Sequence, residues 1–116
     1  MISPGRYSAW FKTPVGEGAG VVELLPDGRL IGGDTTFSYS GTWAQIGDRI
    51  KAAYVAKRIA GGPPGVFGMD EIVIIATGRV NDDGSLTCSG FAKQSPGLEL
   101  QIELVRLQVL HTPKAQ

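Results

Sequence analysis

Hydrophobic and polar residues alternate with a period of two along most of the chain, and turn-forming residues interrupt the alternation about every ten positions. The clearest segment lies near the C-terminus, where Leu98, Leu100, Ile102 and Leu104 alternate with polar residues. Successive side chains of a strand point to opposite faces, so this segment has one buried face. Short strands separated by turns at this spacing are typical of an all-β sandwich or barrel.

The pattern predicts eight strands, with Pro26-Asp27-Gly28 and Asn81-Asp82-Asp83-Gly84 as the strongest turns between them. The last strand begins near Leu98, and its hydrophobic phase changes at Val105, Leu107 and Val109, which predicts a β-bulge. The other predicted strands are approximately residues 6–12, 17–25, 29–33, 36–44, 49–59, 70–80 and 85–93.

The segment 49–59 fits two patterns. Val55 lies on a stripe of apolar residues at helical spacing, and Asp48 is a suitable N-cap for such a helix. Ile50 and its apolar partners instead alternate with charged residues such as Lys51, and both neighbouring segments are strands. We therefore predict a strand.

Consecutive strands with short connections close most simply into an up-and-down antiparallel barrel, which leaves no edge strand unpaired. We predict an all-β, eight-stranded antiparallel up-and-down barrel with little or no helix, and an open sandwich is the alternative. Residues 1–110 form this single domain and 111–116 a frayed tail. In the long connection 60–68, Phe67 either packs on the rim of the core or covers the barrel mouth.

Composition fits one cytoplasmic domain. The chain has 116 residues, 11 basic and 11 acidic side chains and a formal net charge of zero, which disfavours nucleic-acid and membrane partners. Cys88 is the single cysteine, so no intramolecular disulfide forms, and the N-terminus lacks the basic start and apolar stretch of a secretion signal. These features predict a cytoplasmic location.

Catalytic and metal-binding residues are scarce. The single histidine, His111, lies in the predicted tail, away from any candidate nucleophile. One histidine and one cysteine cannot form a zinc site, and the acidic residues at the turns are expected to hydrogen-bond the local backbone. We therefore predict a protein that is not an enzyme, with no metal and no cofactor.

The predicted barrel interior combines aromatic and small residues. A barrel of this size either fills with side chains or holds one small ligand, and a filled core is somewhat favoured. The alternative is a carrier or sensor that binds a small apolar ligand or lipid inside the barrel. The candidate ligand-binding residues are Phe37, Tyr39, Trp43, Tyr54 and Cys88.

The predicted exterior has one apolar and one basic set of residues. Val55, Val73 and Ile75 point outward and predict the interface of a homodimer. Three cations share the outer face of the fifth strand, Arg49, Lys51 and Lys57, and we expect them to form a solvated exterior.

Three glycine-containing motifs carry a resemblance: Gly16-Glu17-Gly18-Ala19-Gly20, Gly32-Gly33-Asp34 and Tyr39-Ser40-Gly41. With these spacings the chain resembles the GrlR-like family of bacterial proteins over nearly its whole length. The resemblance implies a lipocalin-like barrel that dimerises and acts as a negative regulator of type III secretion by binding a transcriptional regulator protein. In that family an acidic turn after the fourth strand takes part in partner binding. The corresponding candidate residues here are Gln45, Ile46, Gly47 and Asp48, of which only Asp48 is acidic.

Overall fold

A computed structural model describes residues 4–59 and 70–107, which form a closed barrel of eight antiparallel strands. Each strand is hydrogen-bonded to its neighbours in sequence, and the last strand pairs with the first. The predicted up-and-down barrel is confirmed, as is the strand at 49–59, and the described part of the chain contains no helix. The strands are β1 (Gly5–Thr13), β2 (Gly16–Leu24), β3 (Arg29–Gly33), β4 (Phe37–Ile46), β5 (Arg49–Arg58), β6 (Glu71–Val80), β7 (Leu86–Ala92) and β8 (Ser95–Arg106).

The turns define two ends of the barrel. We call the end with the turns after β2, β4 and β6 the lower end, and the end with the turns after β1, β3 and β7 the upper end. Each lower turn contains a glycine with positive φ, namely Gly28, Gly47 and Gly84, a conformation that other residues rarely adopt. Asp27 and Asp83 accept hydrogen bonds from the backbone two residues later, as expected of aspartates at turns.

The core lies inside the barrel and follows the period-two alternation of the strands. Its largest fully buried side chains are Tyr7, Leu24, Ile74, Leu86 and Leu100. These large residues come from five different strands, β1, β2, β6, β7 and β8, so the interior is packed from most of its circumference. The barrel therefore has an apolar filling and an outer surface that carries most of its charge.

The bulge predicted at Val105 is wrong. β8 pairs with β1 in one unbroken register from Gln101 to Arg106, and Val105 simply faces outward. The irregularity lies at the other end of β8, where its pairing with β7 shifts near Gly90. Pro96 lies in the shifted segment, and proline cannot donate a ladder hydrogen bond, which accounts for the interruption there.

Some sequence predictions fall outside the described residues. They are the frayed tail 111–116, which includes His111, the connection 60–68 with Phe67, and the position of Val109.

Candidate functional site

Three aromatic side chains, Phe11, Tyr39 and Tyr54, meet inside the barrel. The ring of Tyr39 packs edge-on against Phe11, with centroids 5.6 Å apart, and lies 5.9 Å from the ring of Tyr54. The Tyr39 hydroxyl donates a hydrogen bond of 2.6 Å to Asp34. Tyr39 therefore fills the interior and is held from the upper end, as expected for a packed core residue.

Phe37 and Trp43 were predicted to bind a ligand inside the barrel. The structure places them toward the two ends of β4. Phe37 is buried at the upper end, where the guanidinium of Arg58 lies 5.3 Å from its ring centroid. Trp43 is half-buried at the lower end, and its indole N–H donates to the carbonyl oxygen of Leu25 at 3.0 Å. Both aromatic residues close the barrel, and neither lines the internal cavity described next.

A cavity of about 30 Å³ lies in the lower half of the barrel. Tyr54 and Cys88, from the predicted ligand-binding set, are among its lining residues, together with Phe11 and aliphatic side chains such as Ile50. An apolar cavity that binds benzene has a volume of about 150 Å³, so this space is too small for an aromatic ring or an alkyl chain. The sequence set thus divides into two cavity residues and three that fill or close the barrel.

Two titratable groups that line the cavity, Cys88 and Tyr54, are held in their neutral forms. Burial raises the pKa of the Cys88 thiol to about 11, and Glu103 adds to the shift. Burial also raises the pKa of the Tyr54 hydroxyl, with the neighbouring Cys88 as a second cause. A thiol protonated at neutral pH is a poor nucleophile, so the geometry gives Cys88 a packing role.

The raised pKa of Cys88 predicts a pH dependence of stability. An unfolded thiol ionises near pH 8.5 and the folded one near pH 11, so this group's contribution is complete below about pH 8.5 and falls as pH rises toward 11. The free energy of unfolding of wild type should fall between about pH 7.5 and 9.5. In Cys88→Ala, which lacks the thiol, we expect this fall to be smaller by roughly 1 kcal/mol. Urea unfolding of both proteins at both pH values measures this difference, because any tyrosine ionisation affects the two proteins equally. Equal losses in the two proteins would show that the thiol is solvated.

The candidate partner-binding turn is shorter than predicted, because β4 continues through Gln45 and Ile46. Ile46 pairs with Arg49, which leaves Gly47-Asp48 as a two-residue hairpin turn. The Gln45 side chain donates to the carbonyl oxygen of Gly47 at 2.7 Å, and the carbonyl of Asp48 accepts from a β6 amide. These two hydrogen bonds connect the turn to its neighbours, and the side chain of Ile46, at the end of β4, is 76% exposed.

The three predicted interface residues are brought together on the outer surface. Val55 of β5 lies directly opposite Val73 of β6, and Ile75 is next along β6 on the same face. All three are half-buried by their neighbours. The register adds Phe91 of β7, opposite Ile75 and 38% exposed. We call these four residues the outer apolar face.

Two residues were not predicted from the sequence as functional or structural contributors: Phe91 in the outer apolar face and Asp34 in the turn between β3 and β4. Phe91 was predictable, because the alternation that places Cys88 inward places Phe91 outward. The only sequence signal for Asp34 is its place in the motif Gly32-Gly33-Asp34. Its carboxylate accepts hydrogen bonds from the amides of Thr36 and Phe37, which join β3 to β4.

Within residues 4–59 and 70–107, no group of three or more histidine, cysteine, aspartate or glutamate side chains is arranged to hold a metal ion. The same residues contain no helix long and apolar enough to cross a membrane. Comparison with known proteins adds no assignment, since no protein-family model and no curated protein matches the chain.

Proposed function

We propose that this chain is a non-enzymatic barrel protein that acts by contact with other proteins and forms a homodimer through the outer apolar face. The observation that carries the proposal is the juxtaposition of Val55, Val73, Ile75 and Phe91 on three adjacent strands. Contiguous apolar side chains on the outside of a barrel contribute nothing to its core, and such patches on soluble proteins mark interaction sites.

A second copy is a suitable occupant because the outer apolar face carries no charge. In a two-fold dimer the same patch meets itself, so an uncharged patch is self-complementary, whereas a charged one would repel its copy. Lys57 and Glu71 lie at one border of the face as an opposed pair of opposite charge, which fits a polar rim.

The filled interior favours surface contact over transport. The cavity of about 30 Å³ among the described residues is smaller than one that binds benzene, which supports surface contact over the carrier alternative. We also propose that the chain regulates type III secretion by binding a transcriptional regulator, because its glycine-containing motifs resemble the GrlR-like family. The single cysteine supports a cytoplasmic location.

The substitution Val73→Glu tests the homodimer. It places a charge at the centre of the outer apolar face, and burying two unpaired carboxylates across a two-fold axis is unfavourable, so we expect a monomer where wild type is a dimer. The matched control is Val105→Glu, the same change on the outer side of β8, which should remain dimeric. Sedimentation velocity measures both variants, with circular dichroism to verify the fold.

A wild-type monomer at high concentration would contradict the proposed interface. So would a Val73→Glu protein that folds normally and sediments as the same dimer as the Val105→Glu control.

A further inference from the structure

Three cations gather at the lower end of the barrel, on the strands that carry the outer apolar face. Arg49 of β5 lies directly opposite Arg79 of β6, and Lys51 is the next outward residue of β5. Directly opposed residues of an antiparallel pair have Cβ atoms about 4.5–5.5 Å apart. We call Arg49, Lys51 and Arg79 the lower cation cluster.

The cluster differs from the basic set that the sequence predicts. Lys57 lies toward the upper end of β5, opposite Glu71, and so has an acidic neighbour. Arg79 replaces it, because the register of β5 and β6 brings an arginine of one strand against an arginine of the other. The pairing could not be read from either strand alone.

Within residues 4–59 and 70–107, none of the described ion pairs includes a side chain of the lower cation cluster. These ion pairs are Arg6–Glu23, Arg29–Asp27 and Arg58–Asp70. Like charges directly opposite each other destabilise a sheet. The arrangement therefore costs the folded chain stability, and an anionic partner would compensate for that cost.

The surroundings of the cluster limit the size of that partner. Thr77 and Ser89 continue the row of Lys51 across β6 and β7 with uncharged hydroxyl groups. In the neighbouring row, Arg79 lies opposite Thr87 and Thr87 lies opposite Glu103, so this row ends in a carboxylate. Further carboxylates stand in the adjoining turns, at Asp48, Asp82 and Asp83. A continuous polyanion or an anionic membrane would meet more of these carboxylates than a short acidic segment would, because it covers a larger area.

We propose that the lower cation cluster docks a short acidic segment of a partner protein, whose carboxylates pair with Arg49, Lys51 and Arg79. Arginine favours this role because its planar guanidinium binds a carboxylate through two parallel hydrogen bonds. The inference rests on the proposed action by protein contact and names the chemistry of the partner. A segment bound here lies beside the outer apolar face, because the Lys51 row and the Ala53–Ile75–Phe91 row are adjacent.

The test uses fluorescence anisotropy with a short fluorescein-labelled peptide of alternating glutamate and serine. We expect wild type to bind it with an affinity that falls as salt is added, and not to bind the same peptide with glutamine in place of glutamate. The double variant Arg49→Gln/Arg79→Gln should bind about tenfold or more weakly. The control Arg6→Gln/Lys12→Gln removes the same charge from β1 and should bind like wild type.

Equal binding by the two double variants would overturn the site, because attraction would then follow net charge alone. A labelled oligothymidine or phosphatidylserine vesicle that binds more tightly than the peptide, and is lost with the Arg49→Gln/Arg79→Gln change, would overturn the choice of a protein segment. Sedimentation of the same samples separates this inference from the proposed function. An intact dimer without peptide binding overturns the docking site alone, and dissociation of Arg49→Gln/Arg79→Gln would assign the cations to the dimer contact instead.

Discussion

Replacing Gly41 by alanine is expected to destabilise the barrel by about 2–3 kcal/mol. Gly41 faces inward on β4 between Leu30 and Tyr54, its partners on the two neighbouring strands. A Cβ atom at this position would collide with the carbonyl oxygen of Ala53 and with Cα of Tyr54. These are backbone atoms, so relief requires the strands to separate, and the smaller unfolded-state entropy of alanine offsets only part of this cost.

The matched control is Gly97→Ala in β8. No heavy atom outside its own chain neighbours lies within 4 Å of the position where the Cβ would stand, and we expect a change within about 0.5 kcal/mol. Urea unfolding of both variants measures the two free energies. Equal stabilities of the Gly41 and Gly97 variants would show that the β4–β5 contact is looser than described.

Replacing Asp34 by alanine is the second change with a large expected effect, a loss of about 2–4 kcal/mol. One carboxylate oxygen accepts hydrogen bonds from the amides of Thr36 at 2.8 Å and Phe37 at 2.7 Å. The other accepts from the hydroxyl of Tyr39 at 2.6 Å. Alanine leaves that buried hydroxyl without its acceptor and frees the turn between β3 and β4.

Tyr39→Phe separates the two contributions, because it removes only the hydroxyl and keeps both backbone hydrogen bonds. We expect it to cost about 1 kcal/mol, and Asp34→Asn to fall between the two variants because its amide oxygen still accepts from the backbone. Thermal unfolding ranks the three proteins. If Asp34→Ala were no less stable than Tyr39→Phe, the carboxylate would not organise the turn.

Local patterns were sufficient to predict most of this fold. The alternation of apolar and polar residues gives the inward and outward faces of each strand, as for Leu100 and Ile102 in β8. The turns that contain glycine predict where the strands are connected. Because these connections are short, they predict that consecutive strands are neighbours in a closed up-and-down barrel. The bulge was predicted in the wrong place because Val105 and Leu107 are apolar, and the sequence pattern therefore indicated that the inward face changes there. In the structure both residues are exposed on the outside of the barrel.

The surfaces were harder to predict because they depend on register. No single strand shows that Arg49 meets Arg79, or that Phe91 extends the patch begun by Val55 and Val73, since these pairs are far apart in sequence. The internal cavity was hard to predict for a related reason. Its volume depends on how Tyr54 and residues from other strands fit together, and composition alone left a filled and a hollow barrel both possible.

The described residues form a barrel with an apolar interior, and both proposed contact surfaces lie on its outside. The lower cation cluster lies on β5 and β6, two of the three strands that carry the outer apolar face, so one side of the molecule combines both proposed surfaces. The opposite side, which includes β1, carries the ion pair Arg6–Glu23 and a tryptophan that hydrogen-bonds Glu17. Partner contacts are therefore expected from the β5–β7 side.

A native mass spectrum of the purified wild-type chain distinguishes a contact protein from a carrier, because one measurement gives both the number of subunits and any retained small molecule. We expect a dimer whose mass equals that of two chains. A monomer that carries additional nonprotein mass would contradict it, since the barrel would then open to hold a ligand and the outer apolar face would have no second copy.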